Sequence, residues 1–567
     1  MSTRRQFVTA SSAALTATAL GMRGTAAVRT DVDAPLDALP ASIRELRPMT
    51  AGVTPITVAE RLGRIEKAKK LMRALKMDAL VLTGGTSMEY FTGMQWGVSE
   101  RLLAAIIPVK GSAFLVTPKF EESRAMEQAR TGPLGADAQV HAWEEDEDPY
   151  ALVAKGLRDR GLATGTIGCE ETTRFMYGHG MGRALQSARF TLGTPITAGC
   201  RMVKDAHEIE LMQHASNVTL AAYEAAWKGL TDGMTQGQFQ ELVRAAHKQL
   251  GYAGSAGAQV GEFSALPHGS VTPQVIREGS IVLIDGGCEV EGYVSDISRT
   301  FVLGRATQRM KDVFEIELRA QSAALAAARP GVAAETVDAA ARTVIADAGF
   351  GPGYKYFTHR VGHGMGMDGH EWPYLVKGNT MPLATGMVFS DEPGIYIPGE
   401  FGIRLEDDMV ITENGARLTR SDFSLRQQRD ALTSGDDNSA SRFHRDREHH
   451  CIAHRHARVD WHQDFAGALR HVEHATVDRI FLVARLVEDP ELILPPATVV
   501  GLQPCDAHHT ALRAAAPHHV AARAQRGAVG GGSPGKSLAG TVAREQRITQ
   551  QCDAVDCDRC LTAAHVG

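Results

Sequence analysis

The stretch "SIVLIDGGCEVEGYVSDISRTFVLG", residues 280–304, constrains the fold of this chain more than any other. Apolar runs flank Glu291-Gly292, a turn signal, so the segment reads as a β-hairpin. A two-residue loop there pairs Val290 with Tyr293 and sets Asp285 opposite Ser298. Asp296 lies two positions from Ser298 on the same face, which makes Asp285 and Asp296 diagonal neighbours about 7 Å apart at the backbone. Two acids facing the same way on a strand as apolar as "IVLID" require compensation, because unpaired buried charge costs on the order of several kcal/mol.

A second hairpin repeats the pattern in "MVFSDEPGIYIPGEFGIRLEDDMVIT", residues 387–412, with Pro398-Gly399 at its turn. A three-residue loop places Glu392 opposite Glu406, whereas a two-residue loop splits them across faces. An odd loop or a bulge is therefore expected. Asp391 should point away from Glu392 and has no expected role.

The pentapeptide GHGMG occurs twice, around His179 and around His363. The first copy runs on as "GRALQSARF", most simply a helix, with no acidic cluster or second histidine nearby, and is read as structural. The second lies in "HRVGHGMGMDGHEWPYL", so His363 joins the acids. Two Asp, two Glu and one imidazole form a mostly oxygen donor set of high negative charge, which two divalent cations neutralise and one does not. Such donors favour Mn²⁺, with Zn²⁺, Co²⁺ or Fe²⁺ as alternatives. Paired metals about 3.5–4 Å apart are hydrolytic machinery, because they hold a shared hydroxide and polarise a carbonyl.

At 567 residues the chain exceeds a single hydrophobic core, and two or three domains are expected. A net charge of −6 offers no footprint for nucleic acid. Beyond the N-terminus there is no apolar run long enough for membrane insertion. Residues 1–27 carry Arg4-Arg5, a short apolar stretch and small residues at Thr25-Ala26-Ala27, the layout of a twin-arginine export signal. A periplasmic protein exported folded, with its metal acquired in the cytoplasm, is the expectation. Residues 28–54 read as a linker rich in Pro, Ala and Asp. Residues 55–203 alternate helical and stranded patterns and imply an α/β domain. Residues 204–424, with long helices and antiparallel strand signals, imply an α+β domain.

From 425 to 567 the character changes. This tail holds more than half of the 22 histidines, a single lysine (Lys536) and the glycine-rich "GAVGGGSPG", and its composition predicts disorder. Its "CDAVDCDRC" has no surrounding fold to make it a metal site. The eight cysteines form no disulfide framework: Cys169, Cys200 and Cys288 are scattered through the body, and five lie in the tail.

Taken in order and with their flanks, Asp285, Asp296, His363, Glu392 and Glu406 resemble the ligand set of the pita-bread metallopeptidases. That family includes aminopeptidase P, prolidase, methionine aminopeptidase and creatinase. The resemblance covers about residues 50 to 424, and "TSMEYFTGMQWGVSERL" is similar to the N-terminal domain of the proline-specific and creatinase branches. It implies an α+β fold: a pita-bread catalytic domain with a curved antiparallel sheet, behind an α/β creatinase-type domain. It also implies that Asp285 chelates one metal, that His363 and Glu392 chelate the other, and that Asp296 and Glu406 bridge both. A bridging hydroxide would attack the scissile carbonyl, with Glu392 as proton shuttle. His268, His359 and His370 match pocket histidines of the proline-specific members, and Arg404 matches a residue beside the last bridging Glu.

The activity so implied is that of an Xaa-Pro dipeptidase (prolidase) on a proline-containing peptide. Xaa-Pro aminopeptidase and a creatinase-like C–N hydrolase are the alternatives, and a non-catalytic binding protein on the same fold is a further one. A homodimer is implied by the resemblance alone. Gly369, Trp372 and the Ser390-Asp391 pair depart from the residues usual in relatives, without touching the ligands.

Overall fold

The computed structural model describes residues 36–419. The twin-arginine segment, the start of the linker and the 425–567 tail with its cysteine motif lie outside the described residues. The remainder of the linker, residues 36–54, is not a free connector. It forms a short helix, Ala41–Arg44, whose Ile43 is fully buried, and Ser42 Oγ donates to Ala225 O at 2.8 Å. Leu39, Leu46 and Met49 pack against the same core, a set of apolar residues that the Pro/Ala/Asp-rich composition had masked.

The first layer system is a six-stranded sheet. Its strand order is Gln139–Trp143, Phe114–Pro118, Ala104–Pro108, Ala79–Thr83, Thr166–Cys169, Arg189–Leu192. The strands from Ala79 to Pro118 pair antiparallel and the others parallel. The three central runs are buried throughout, as their unbroken apolar sequences require. Thr57 and Glu60 form a capping box that starts the Val58–Ala74 helix. The first GHGMG lies in the helix Phe175–Ala184, but that helix does not continue through GRALQSARF as expected: it stops at Ala184, and Arg189–Leu192 is a strand.

The second part is antiparallel throughout and has two halves. In one, the helices Ala206–Lys228 and Gln236–Leu250 pack on the sheet built from Gly254–Val260, Ile281–Val290 and Ile297–Val302. Asp205 with Glu208, and Thr235 with Gln238, cap these helices reciprocally, and Gly251 closes the second with φ 95°. In the other half, the helices Gln308–Ala327 and Ala334–Ile345 share a core with a five-stranded sheet and a two-stranded ribbon. The sheet order is Glu371–Leu375, Gly362–Gly364, Val388–Asp391, Asp407–Thr412, Gly415–Leu418; the ribbon is Gly394–Ile397 with Phe401–Arg404.

Both hairpins have the expected register. Val290 pairs with Tyr293 and Asp285 with Ser298, across a turn in which Glu291 (φ 50°) and Gly292 (φ 84°) both take positive φ. Ser295 and Asp296 leave the ladder between two paired stretches. In the second hairpin Ile397 pairs with Phe401 over the three-residue loop Pro398-Gly399-Glu400. Asp391 pairs with Asp407 in the same register, which sets Glu392 opposite Glu406.

Candidate metal centre

Five separate chain segments bring the candidate ligands to the junction of the two halves. Asp285 stands in the Ile281–Val290 strand, Asp296 in the gap of the first hairpin, and His363 in the Gly362–Gly364 strand. Glu392 follows the Val388–Asp391 strand, and Glu406 lies between Phe401–Arg404 and Asp407–Thr412. Ligand atoms of Asp285, Asp296 and Glu406 lie within 4.8 Å of one another, as do those of His363, Glu392 and Glu406, and those of Asp296, His363 and His370. Glu406 is common to the first two groups and Asp296 to the first and third. Asp391 is buried and belongs to no such group among the described residues.

The glycines of the second GHGMG make this approach feasible. A Cβ at Gly362 would lie 2.0 Å from Ser390 O, so only glycine lets the His363 strand come this close. Gly178, its counterpart in the first copy, has nothing within 4 Å. His179 sits on an exposed helix face and stacks on Phe175 at 5.7 Å.

The donor chemistry fits a pair of cations. His363 Nδ1 meets Gly364 O at 3.1 Å and must donate to it, so Nε2 presents its lone pair. That lone pair faces Glu392 Oε1 at 3.2 Å and Asp296 Oδ2 at 3.7 Å, an encounter of acceptors that calls for positive charge between them. Burial, and then the charges of Asp285, Glu392 and Asp408, push Asp296 well above the usual carboxylate range. Burial and then Asp296, Glu392 and Asp285 do the same to Glu406. Burial also raises Glu392, but its neighbours His363, His359 and Arg404 outweigh it and bring this carboxyl to about 2. Four converging carboxylates ionise together only when cations lie among them.

A polar frame supports the ligands. Arg404 pairs with Asp285 at 2.7 Å, and its Nε donates to Ser298 Oγ at 2.8 Å. Ser298 Oγ reaches Asp285 Oδ1 (3.0 Å) and Glu406 Oε2 (2.5 Å), giving its single proton to one carboxylate at a time. Ser390 Oγ accepts from His363 N–H at 3.0 Å and donates to Glu392 Oε1 at 3.1 Å. Asp408 accepts the Asp296 backbone N–H at 3.2 Å, where the ladder leaves that group without a strand partner. Tyr396 OH accepts from Arg404 Nη1 (3.0 Å) and donates to His359 Nε2 (2.8 Å).

The three further histidines lie around this cluster. His359 Nδ1 is 3.8 Å from Glu392 Oε2, and burial lowers its pKa. His370 stacks on His363 with ring centroids 3.7 Å apart; burial, then His363 and Arg360, hold it at about 4. His268 is exposed on the loop after the Gly261–Ala265 turn, close enough to His370 to act on its protonation. The five candidate ligands, His359, His370 and Arg404 thus stand at or beside one site, and His268 lies on the adjoining loop, where Pro267 O accepts from Arg404 Nη1 at 3.3 Å. Sequence reasoning missed Ser298, Ser390, Tyr396 and Asp408 as members of the site. The hairpin register already sets Ser298 opposite Asp285, and that was the one available signal, because hydroxyls on strands are commonplace.

Known proteins are similar to this chain. A model of metallopeptidase family M24 matches residues 210–413, and a creatinase/prolidase N-terminal domain model matches residues 64–203. The probable dipeptidase PepE of Mycobacterium tuberculosis is 36% identical over 343 residues, 60% of this chain and 89% of that protein. The Xaa-Pro dipeptidase of Pyrococcus furiosus is 32% identical over 367 residues, 64% of this chain and 99% of that protein. The crystal structure of dipeptidase PepE from Mycobacterium ulcerans superposes with a TM-score of 0.61 at 34% identity, covering 65% of this chain and 97% of that one.

Proposed function

This chain belongs to metallopeptidase family M24 and has the pita-bread fold behind a creatinase/prolidase N-terminal domain, and on that premise we propose that it hydrolyses Xaa-Pro dipeptides. The observation that carries the reading is the convergence of Asp285, Asp296, His363, Glu392 and Glu406, with Glu406 common to two ligand groups. In this reading Asp285 would hold one cation and His363 and Glu392 the other, with Asp296 and Glu406 available to both. When bound, such a pair supplies Lewis acidity to the substrate carbonyl and to water.

The chain's own groups do the rest. Glu392 takes a proton from the attacking water and returns it to the leaving proline nitrogen. His268 and His370 line the pocket and donate to the carbonyl oxygen as it gains charge, while His359, whose Nε2 accepts from Tyr396, lines it beside Glu392. Arg404, bonded to Asp285 and Ser298, keeps the ligand strands in place. An Xaa-Pro bond has no amide hydrogen and its ring restricts φ, so a site that works on the carbonyl accepts a bond that N–H-gripping peptidases cannot hold.

The preference for dipeptides is supported by the names of the relatives, a probable dipeptidase and an Xaa-Pro dipeptidase. Manganese is our choice of cation on the oxygen-rich donor set. Periplasmic location rests on Arg4-Arg5, and a homodimer rests on family resemblance. The decisive assay compares an Xaa-Pro dipeptide with a longer Xaa-Pro-Xaa peptide, before and after chelation. We expect faster turnover of the dipeptide and none after chelation. Preference for the longer peptide would make the chain an aminopeptidase P, and chelation-resistant activity would revive the creatinase-like reading.

A further inference from the structure

Arg360 separates His359 from the His363 strand, and its side chain folds back toward the site. Its guanidinium carbon lies 4.1 Å from the centroid of the Tyr374 ring, and Tyr374 is the residue directly paired with His363 across the strands. Cross-strand partners share a face, so Tyr374 gives the planar guanidinium a platform on the side of the sheet that carries His363. From that platform Arg360 Nη2 reaches His370 Nδ1 at 3.2 Å. A bulge after Glu371 sets this arrangement: Gly364 pairs with Glu371 while His363 pairs with Tyr374, and His370 is thereby brought round beside His363.

This contact decides between two roles that geometry leaves open to His370. A ring nitrogen of His370 lies within 4.8 Å of ligand atoms on Asp296 and His363, so the imidazole stands where a further ligand of that cation could stand. Alternatively it donates a hydrogen bond to the substrate. A guanidinium carries N–H donors and no acceptor, so the nitrogen it meets must present a lone pair. Nδ1 is therefore the acceptor, and in the neutral imidazole the proton resides on Nε2. The Nδ1 lone pair is then engaged by Arg360 and Nε2 has none, so neither nitrogen is available to a cation.

We propose that Arg360 is a positioning residue that locks His370 as an Nε2–H donor and keeps it out of the metal coordination sphere. The inference rests on the dinuclear reading of the site given above. Lysine in its place would keep a donor but lose the planar stack, and methionine would keep the stem and lose the donor.

The test uses full-length protein loaded with Co²⁺, compared as wild type, Arg360→Met, Arg360→Lys and the double variant Arg360→Met/His370→Ala. Arg360→Met should alter the visible Co²⁺ absorption, because a freed His370 becomes a ligand, and should tighten binding of the cation severalfold by calorimetry. Its kcat on an Xaa-Pro dipeptide should fall about 10–100-fold with little change in KM, the range for lost outer-shell partners. The double variant should return to the wild-type spectrum, and Arg360→Lys should restore most of it. If Arg360→Met fails to fold, Tyr374→Leu, which removes the platform, should give the same spectral change more weakly.

An unchanged spectrum and affinity in a folded Arg360→Met protein would overturn the proposal. So would a rise in KM alone, which would make Arg360 a direct substrate contact. If wild-type protein neither binds two cations nor cleaves the dipeptide, the functional reading fails instead, and the two failures are distinguishable.

Discussion

At the scale of single residues, the two GHGMG copies separate the letters of a motif from its chemistry. His363 is 2% exposed and meets two carboxylates, whereas His179 is exposed and meets Phe175. His363→Ala or Glu406→Ala should abolish turnover, while His179→Ala should leave kcat/KM within a few-fold; steady-state assays of the three variants check this. A different histidine, His247, contributes to pH sensitivity. It is fully buried, Nδ1 donates to Val243 O at 2.9 Å, and burial holds its pKa at about 4 against an ordinary 6.5. Its neutral form is the folded form, so the stability it contributes is present above pH 6.5 and is lost as pH falls from 6.5 toward 4. The loss should be on the order of 3 kcal/mol, read by denaturant melts at pH 7 and pH 4.5, and His247→Gln should flatten the difference.

At the scale of elements, turn chemistry and register did most to place the acids. Glu291-Gly292 and the Pro398-Gly399-Glu400 loop set which side chains share a face, and both were readable because side chains alternate with period two. The polar frame was not readable in this way. Ser390 and Glu392 meet His363 because the Gly362–Gly364 strand approaches Val388–Asp391 closely, and that approach depends on Gly362. Gly362→Ala should cost about 1–3 kcal/mol through overpacking and weaken cation binding. Gly178→Ala, in an open position of a helix, should be neutral or stabilise by up to about 1 kcal/mol. Urea unfolding of the two variants, with and without Mn²⁺, distinguishes these outcomes.

At the scale of the molecule, the N-terminal part supports the loop that carries His370. Arg201 pairs with Glu371 at 2.5 Å and with Asp368 at 2.6 Å, Lys204 reaches Glu371 at 3.2 Å, and Thr86 donates to Asp368. Glu371 also accepts the backbone N–H groups of Met367 and Asp368, so its carboxylate holds the turn preceding His370. Opposed to burial, these cations bring Glu371 down to about 2. Arg201→Met should destabilise the protein by about 3 kcal/mol, because it leaves a buried carboxylate short of a partner. It should also lower kcat through His370, and calorimetry alongside dipeptide assays would reveal both.

What the sequence determined by itself was the local part of this protein: the two hairpins, their turns, the face each acid takes, and the choice of His363 once its neighbours were weighed. These follow from backbone periodicity and turn residues, which act over a few positions. Only the tertiary structure decided that Ser298 would lie between Asp285 and Glu406, that residues 36–54 would pack as part of the core, and that Arg360 would reach His370 over Tyr374. Those contacts depend on how separate strands and helices approach one another in space, a property of packed surfaces that no short run of residues carries.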